Sequence, residues 1–312
     1  MKINLKRKKY IKYNDWLDKW LILQKNQIKE STYSTYKTHI ENHIKPYFKD
    51  VYISKMTNKE IQEFINDKIM YGRLDHQGGL SVKTVKELVN IIKLSLKSAI
   101  NNHIIESIIF EFKYPKHNHI IQMLDHNECE QLIKYLKQER TFISIGILLI
   151  LCTGIRIGEL CALTNQDINL NKQELYIDKT LQRIYDIDNH SSKIIISSTK
   201  THHSTRIIPI PNTLLPYLEI ENNNYYFLTQ NEKYIEPRTL RYHFKRILKK
   251  IDLSNVTVHS LRHYFASQCI ELGFDYNCLS EILGHSSPST TMNLYVHSKK
   301  EYKKTCMNKI VI

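Results

Sequence analysis

The stretch that most limits what this chain can fold into is FISIGILLILC, residues 142–152, which carries no charge. It is well short of the roughly 20 apolar residues a membrane-spanning helix needs. A buried helix is the reading left, and the chain must build a core around it. The next residues, TGIRIGEL at 153–160, predict that this helix ends at Gly154 and that another starts near Arg156. The chain has 312 residues and is 42% hydrophobic. That is a globular composition, with length enough for two domains with separate cores.

Upstream of this run the periodicity is helical. Trp16, Leu17, Trp20, Leu21 and Leu23 mark one face of a helix over 14–24. Ser31 and Ser34 open a second, which is expected to stop near Pro46. Thr57-Asn58 caps a third, ending at Gly72. A long amphipathic helix follows from Ser81, with Val82, Val85, Leu88, Val89 and Ile92 on its stripe. Residues 113–124, with Pro115 and a polar basic run, break the pattern as a linker. Asp125 then caps a new helix. Residues 174–210 alternate β-rich runs with turn residues and predict a small antiparallel sheet. From Pro237 the pattern is helical to the end. The expected fold is therefore mainly α with a small antiparallel β-sheet. It comprises a helical domain over 10–112, a linker over 113–124, and a mixed domain over 125–312 with a tail at 296–312.

The net charge is +14, distributed unevenly. Residues 1–124 hold 22 Lys/Arg against 12 Asp/Glu; residues 125–312 hold 23 against 19. Such an excess favours a polyanionic partner, nucleic acid or an anionic membrane surface, with the stronger grip in the N-terminal part. Six cysteines without a CxxC pair, at 129, 152, 161, 269, 278 and 306, do not suggest a disulfide framework. The basic N-terminus lacks the apolar core of a signal peptide. A soluble protein of the reducing cytoplasm, associated with the nucleoid, is expected.

The chemistry concentrates in 255–295, which holds His259, Arg262, His285 and Tyr295, with Arg156 and Glu159 upstream. Cleaving a phosphodiester needs a nucleophile, charge neutralisation on the nonbridging oxygens and a proton for the leaving oxygen. One solution uses a side-chain nucleophile and fixed cations, and favours paired arginines because a guanidinium fork matches phosphate geometry. Arg156 and Arg262 are the candidates. His259 and His263 are four apart, but Ser260 stands where a zinc protease places glutamate, so no metal is expected.

Four segments, TGIRIGEL at 153–160, SSTKTHHSTRIIPIP at 197–211, HSLRHYFAS at 259–267 and LGHSSPSTTMNLYVH at 283–297, closely resemble the boxes of the tyrosine recombinase (phage integrase) family, in the family's order. The catalytic resemblance runs from about 125 to 300, with 10–112 in the place of the core-binding domain. It implies site-specific DNA strand cleavage and rejoining through a 3′-phosphotyrosyl link. Tyr295 would be the nucleophile. Arg156 and Arg262 would hold the scissile phosphate, and Lys200 would protonate the leaving 5′-oxygen. His259 would exchange the tyrosine proton, His285 would hydrogen-bond the phosphate, and Glu159 would orient its catalytic neighbours. Lys193 lies on the same hairpin and is the alternative acid. The covalent link conserves the phosphodiester energy, so no cofactor is implied.

The implied partners are double-stranded DNA, three further copies of the chain around two duplexes, and accessory directionality or DNA-bending proteins, with no membrane. Lys86, Lys93, Arg238 and Arg241 are candidate DNA contacts. The apolar end, Ile310-Val311-Ile312, is expected to dock on a neighbouring protomer. The first helix begins by about residue 14, which leaves no room for an arm-binding domain; such a domain is either naturally missing or was removed. The spacing of ten residues between His285 and Tyr295 resembles integrases of mobile elements. Chromosome-dimer resolution, a type IB topoisomerase-like activity and a DNA-binding protein on an inactive scaffold remain alternatives.

Overall fold

The computed structural model describes residues 10–115, 124–198, 205–254 and 256–284. It is mainly helical with small antiparallel sheet structure, as the sequence predicts. It divides into two compact units: Met1–His119 with Ile184–Lys193, and Ile120–Arg183 with Ile194–Ile312.

The first unit is built on helices α1 (Tyr13–Gln24), α2 (Glu30–His39), α4 (Asn58–Tyr71) and α5 (Val82–Asn101). Its core gathers Tyr13, Leu17 and Trp20 of α1, Phe64 and Ile65 of α4, and Leu88, Val89, Ile92 and Leu96 of α5. Burying each such side chain contributes about 1.5–3 kcal/mol. Buried hydroxyl and indole groups of α1 find partners on α5, as burial favours. The Tyr13 hydroxyl lies 2.9 Å from Ser95 Oγ, and Trp16 Nε1 donates to the Ser95 carbonyl at 2.9 Å. Thr57 and Glu60 form a capping box at the start of α4. Ser81 Oγ caps α5 by accepting from the Thr84 amide.

The second helix starts at Glu30, with Ser31 and Ser34 in its first turns. Its helical course ends at Tyr47, near Pro46 as expected, but by an irregular route. A π-turn over Ile40–Ile44, in which the Lys45 amide donates to the Ile40 carbonyl, leads into α3 (Lys45–Tyr47). Proline has no N–H to lose in the first turn after such a bulge, and the wider turn relieves the clash a regular helix would impose. Strands β3 (Lys179–Asp186) and β4 (Ser191–Ser198) form a two-stranded sheet. Its tip belongs to the first unit, where Ser34 Oγ donates to the Tyr185 carbonyl at 2.6 Å and Lys37 pairs with Asp188.

The second unit forms around α7 (Phe142–Thr153), the uncharged run, which is buried on nearly every side. Around it lie α6 (His126–Glu139), α8 (Ile157–Ala162), α9 (Pro237–Lys250), α10 (Val258–Glu271) and α11 (Tyr276–Leu283). Leu148, Leu149 and Ile150 share one core with Leu160, Phe227, Leu240, Phe244 and Leu261. The β-rich segment does not make the single sheet expected. Besides β3–β4 there is a three-stranded antiparallel sheet in the order β1 (Ile168–Asn169), β2 (Glu174–Ile177), β5 (Arg206–Pro209). Thus β5 pairs with β2, not with β4, its predecessor in sequence. The β2–β5 register sets Leu175 against Ile208, so their buried side chains line one inner face.

Gly154 ends α7 in the left-handed region, with φ +66°, and its amide donates to the Ile150 carbonyl at 2.8 Å. A β-carbon there would come within 2.5 Å of Phe265 Cδ1 and 2.8 Å of Leu283 Cδ2. Gly154→Ala is therefore expected to cost about 2–4 kcal/mol, combining left-handed strain with overpacking. Thermal unfolding should show the second unit melting about 5–15 °C lower; an unchanged melt would refute this packing.

Candidate active site

TGIRIGEL becomes a turn that presents one arginine and buries one carboxylate. Arg156 is the residue preceding α8. Its amide donates to Glu159 Oε2 at 2.9 Å, which closes a capping box three residues on. Gly158 is small because β3 passes close by: a β-carbon would meet Thr180 Oγ1 at 2.6 Å and the Leu181 carbonyl at 2.8 Å. Glu159 is only 2% exposed. Burial pushes its carboxyl pKa up, but hydrogen bonds and charge from Arg206, with the charge of Arg156, outweigh burial and hold it below the ordinary carboxylate range. It is an anion inside the fold.

Three guanidiniums converge here. Arg156 Nη1 donates to Glu159 Oε1 at 2.8 Å, and Arg206 Nη1 and Nη2 donate to Oε1 and Oε2 at 3.1 and 2.8 Å. Arg262 is buried on α10, and its Nη1 donates to the Gly154 carbonyl at 2.5 Å. The same three arginines take three successive carbonyls at the end of α11. Arg206 Nε donates to Ile282 at 2.7 Å, Arg262 Nη2 to Leu283 at 2.7 Å and Arg156 Nη2 to Gly284 at 2.9 Å. Gly284 adopts φ +63°, which lets the chain leave the helix. A helix C-terminus carries partial negative charge and unsatisfied carbonyls, so cations suit it.

The arrangement gathers three positive charges at one helix end, two of them on one carboxylate. The Arg156 side chain stays 40% exposed, while Arg206 is 6% exposed. Such a centre can bind a dianion or a phosphodiester through fixed donors. His259 sits on the first turn of α10, exposed, one turn before Arg262. Its ring meets the edge of His263 at 4.5 Å between centroids. Burial, reinforced by Arg262, holds the His263 imidazole below its ordinary pKa.

Of the residues singled out in sequence, Arg156, Glu159, His259 and Arg262 fall in the second unit on the α8 and α10 turns just described. Lys200, His285 and Tyr295 lie outside the described residues, as does the tail. Lys193, the alternative to Lys200, pairs with Glu30 at 2.5 Å in the first unit. That partner raises its pKa, the wrong direction for a proton donor. Arg206 was not singled out, although the strand pattern contains the signal. In TRIIPI, Arg206 shares a face with Ile208 and Ile210, so a charge occupies an inward position.

The candidate DNA contacts are less uniform. Lys86 is exposed and lies over the Tyr114 ring at 5.1 Å; Lys93 is half-buried over Phe112 at 5.0 Å. In both, the ammonium nitrogen lies over the ring, a cation–π arrangement. Lys83 and Asn90, also exposed on α5, line a groove with Thr35, Tyr36 and His39 of α2. Arg238 and Arg241 are exposed on α9 beside Lys245 and Arg246, on a helix with no acidic residue.

Arg262→Ala would leave the Gly154 and Leu283 carbonyls without these donors. About 2–4 kcal/mol of stability should be lost, with faster amide hydrogen exchange at the end of α11. Exchange unchanged from the parent chain would show that Arg262 does not hold that helix end.

Residues 122–302 match the phage integrase family, and residues 12–69 match the phage integrase N-terminal SAM-like domain. A tyrosine recombinase XerC-like protein of Caldanaerobacter subterraneus subsp. tengcongensis is 28% identical, across 91% of this chain and 78% of its own length. The ICEBs1 integrase of Bacillus subtilis is 25% identical across 90% of this chain and 78% of its own. The Tn1549 transposon integrase, solved with a circular intermediate DNA, superposes with a TM-score of 0.78 at 19% identity, covering 96% of this chain and all of that one. With more than half of its residues matched by the family, this chain belongs to the phage integrase family of tyrosine recombinases.

Proposed function

We propose that this recombinase integrates and excises a mobile element, through the residues assigned below. Site-specific cleavage and rejoining of DNA is the activity of the family. The observation that carries the residue assignment is the convergence of Arg156 and Arg262 on one helix end, with His259 a turn away. The ICEBs1 and Tn1549 relatives favour the mobile-element reading. The XerC-like relative favours chromosome-dimer resolution as the second reading.

Arg156 and Arg262 neutralise the nonbridging oxygens of the scissile phosphate. Tyr295 attacks phosphorus, its phenolic proton passing to His259. The bond from phosphorus to the 5′-oxygen breaks as Lys200 protonates that oxygen, and a 3′-phosphotyrosyl link remains. His285 hydrogen-bonds the phosphate. A 5′-hydroxyl from the partner duplex then reverses these steps. Two arginines held by backbone carbonyls need no reorganisation as charge develops, and such donors contribute about 3–4 kcal/mol each. The helical unit carries most of the charge excess and grips the duplex, with 113–124 as the linker. Lys86, Arg238 and Arg241 contact DNA. The assembled form is a tetramer on two duplexes, and binding weakens steeply with salt as counterions are released.

Two measurements test this reading. Tyr295→Phe should bind DNA normally and form no SDS-resistant complex on a nicked duplex carrying the element's inverted repeat. A covalent complex from the Phe variant would assign the nucleophile elsewhere. Lys200→Ala should cleave slowly on ordinary DNA yet recover when the leaving 5′-oxygen is replaced by sulfur, because a thiolate leaves without protonation. Equal defects on both substrates would remove Lys200 from the role. A two-site recombination assay beside a supercoil relaxation assay separates recombinase from topoisomerase behaviour.

A further inference from the structure

Arg206 occupies an inward position of β5, on the face that Ile208 and Ile210 use to pack the core. A charge there is an expensive choice for stability alone, since apolar replacements of buried ion pairs are often neutral or stabilising. Its three nitrogens are nevertheless all committed: Nη1 and Nη2 to the two oxygens of Glu159, and Nε to the Ile282 carbonyl. Glu159 in turn holds Arg156 through a single Nη1 contact, and Arg156 is the exposed member of the cluster.

We propose that Arg206 is a positioning residue for strand cleavage: as the counter-ion of Glu159, it leaves the charge of Arg156 available to the scissile phosphate. The proposal rests on the assignment of Arg156 to that phosphate. Glu159 is needed to orient Arg156, but a buried carboxylate facing one arginine would draw the whole fork inward and cancel its charge. Arg206 satisfies both carboxylate oxygens from the opposite side. Arg156 then stays tethered by one nitrogen to Glu159 and one to Gly284, with its charge not cancelled. The Ile282 contact sets the same side chain against α11, whose next two carbonyls hold Arg262 and Arg156. One arginine, buried and remote from solvent, thereby fixes the relation between the carboxylate and the helix end.

The test compares two DNAs, using the full chain at saturating concentration. Both are nicked duplexes carrying the inverted repeat recovered from the flanking DNA. One has an ordinary scissile phosphate; the other has a methylphosphonate, in which a neutral methyl replaces one charged oxygen. Single-turnover formation of the covalent complex is read for Arg206→Gln, for Arg206→Gln with Glu159→Gln, and for Arg156→Ala. On phosphate, Arg206→Gln should be slower by about 10- to 100-fold, with the half-saturating DNA concentration within about 3-fold of the parent. On methylphosphonate that defect should shrink to about 3-fold, because little charge remains to be neutralised. Removing Glu159 as well should recover at least about 5-fold on phosphate, since the carboxylate that captures Arg156 is gone.

A defect of equal size on both DNAs, or a double variant no faster than the single one, would reduce Arg206 to a fold staple and overturn the proposal. If Arg206→Gln alone does not melt cooperatively, the double variant, which leaves no orphaned charge, decides. It should cleave phosphate DNA faster than Arg156→Ala, and matching that variant on both DNAs would overturn the proposal. Arg156→Ala reports on the underlying assignment: an equal loss on the two DNAs would show that Arg156 does not neutralise the phosphate, which is a different failure.

Discussion

The buried ion pair between Glu159 and Arg206 is the interaction on which the second unit of this chain depends. Two charges taken out of water cost several kcal/mol each and are tolerable only when they are well paired and hydrogen-bonded. Here both are. Glu159 receives two guanidinium donors from Arg206, one from Arg156 and one backbone amide, while Arg206 spends its remaining Nε on the Ile282 carbonyl. The pair links three elements distant in sequence: the start of α8, strand β5 and the end of α11. Without it those elements would share apolar packing but no defined register.

The helix end it reaches is itself unusual in function. Carbonyls at a helix C-terminus normally turn to water or to a glycine cap. At α11 three successive carbonyls receive three different arginines. The dipole of the helix and the positive cluster thus stabilise each other, and the guanidinium planes are oriented before any ligand arrives. Preorganisation of this kind is the largest electrostatic lever an enzyme has over a phosphoryl group.

The first unit solves a different problem. Among its described residues no ion pair has both partners buried; hydroxyl and indole bonds to Ser95 lock α1 to α5. Charge is left on the outside. Lys86 and Lys93 of α5 hold their ammonium groups over Tyr114, Phe110 and Phe112, which restrains the side chains. Such a face can meet a phosphate backbone at lower entropic cost than free lysines would.

Local chemistry decided a good part of this molecule, and the sequence alone was enough to read it. The caps at Thr57 and Asp125, the uncharged helix ending at Gly154 and the boxes holding Arg156, Glu159, His259 and Arg262 depend on neighbours within a few residues. Helix ends and hydrophobic stripes are short-range signals, so they survive without knowledge of the fold. Pro46 marked the end of the second helix to within a residue, but the π-turn before it, whose Ile40 and Ile44 pack into the core, carried no local signal. The pairing of β5 with β2 and the burial of Arg206 could not be read locally, because strand partners and buried counter-ions are chosen across long loops. Residue types and their spacing determined which groups could do the chemistry. Tertiary structure decided which carbonyl or carboxylate each arginine meets, because a guanidinium's partner is a matter of distance in space and not in sequence.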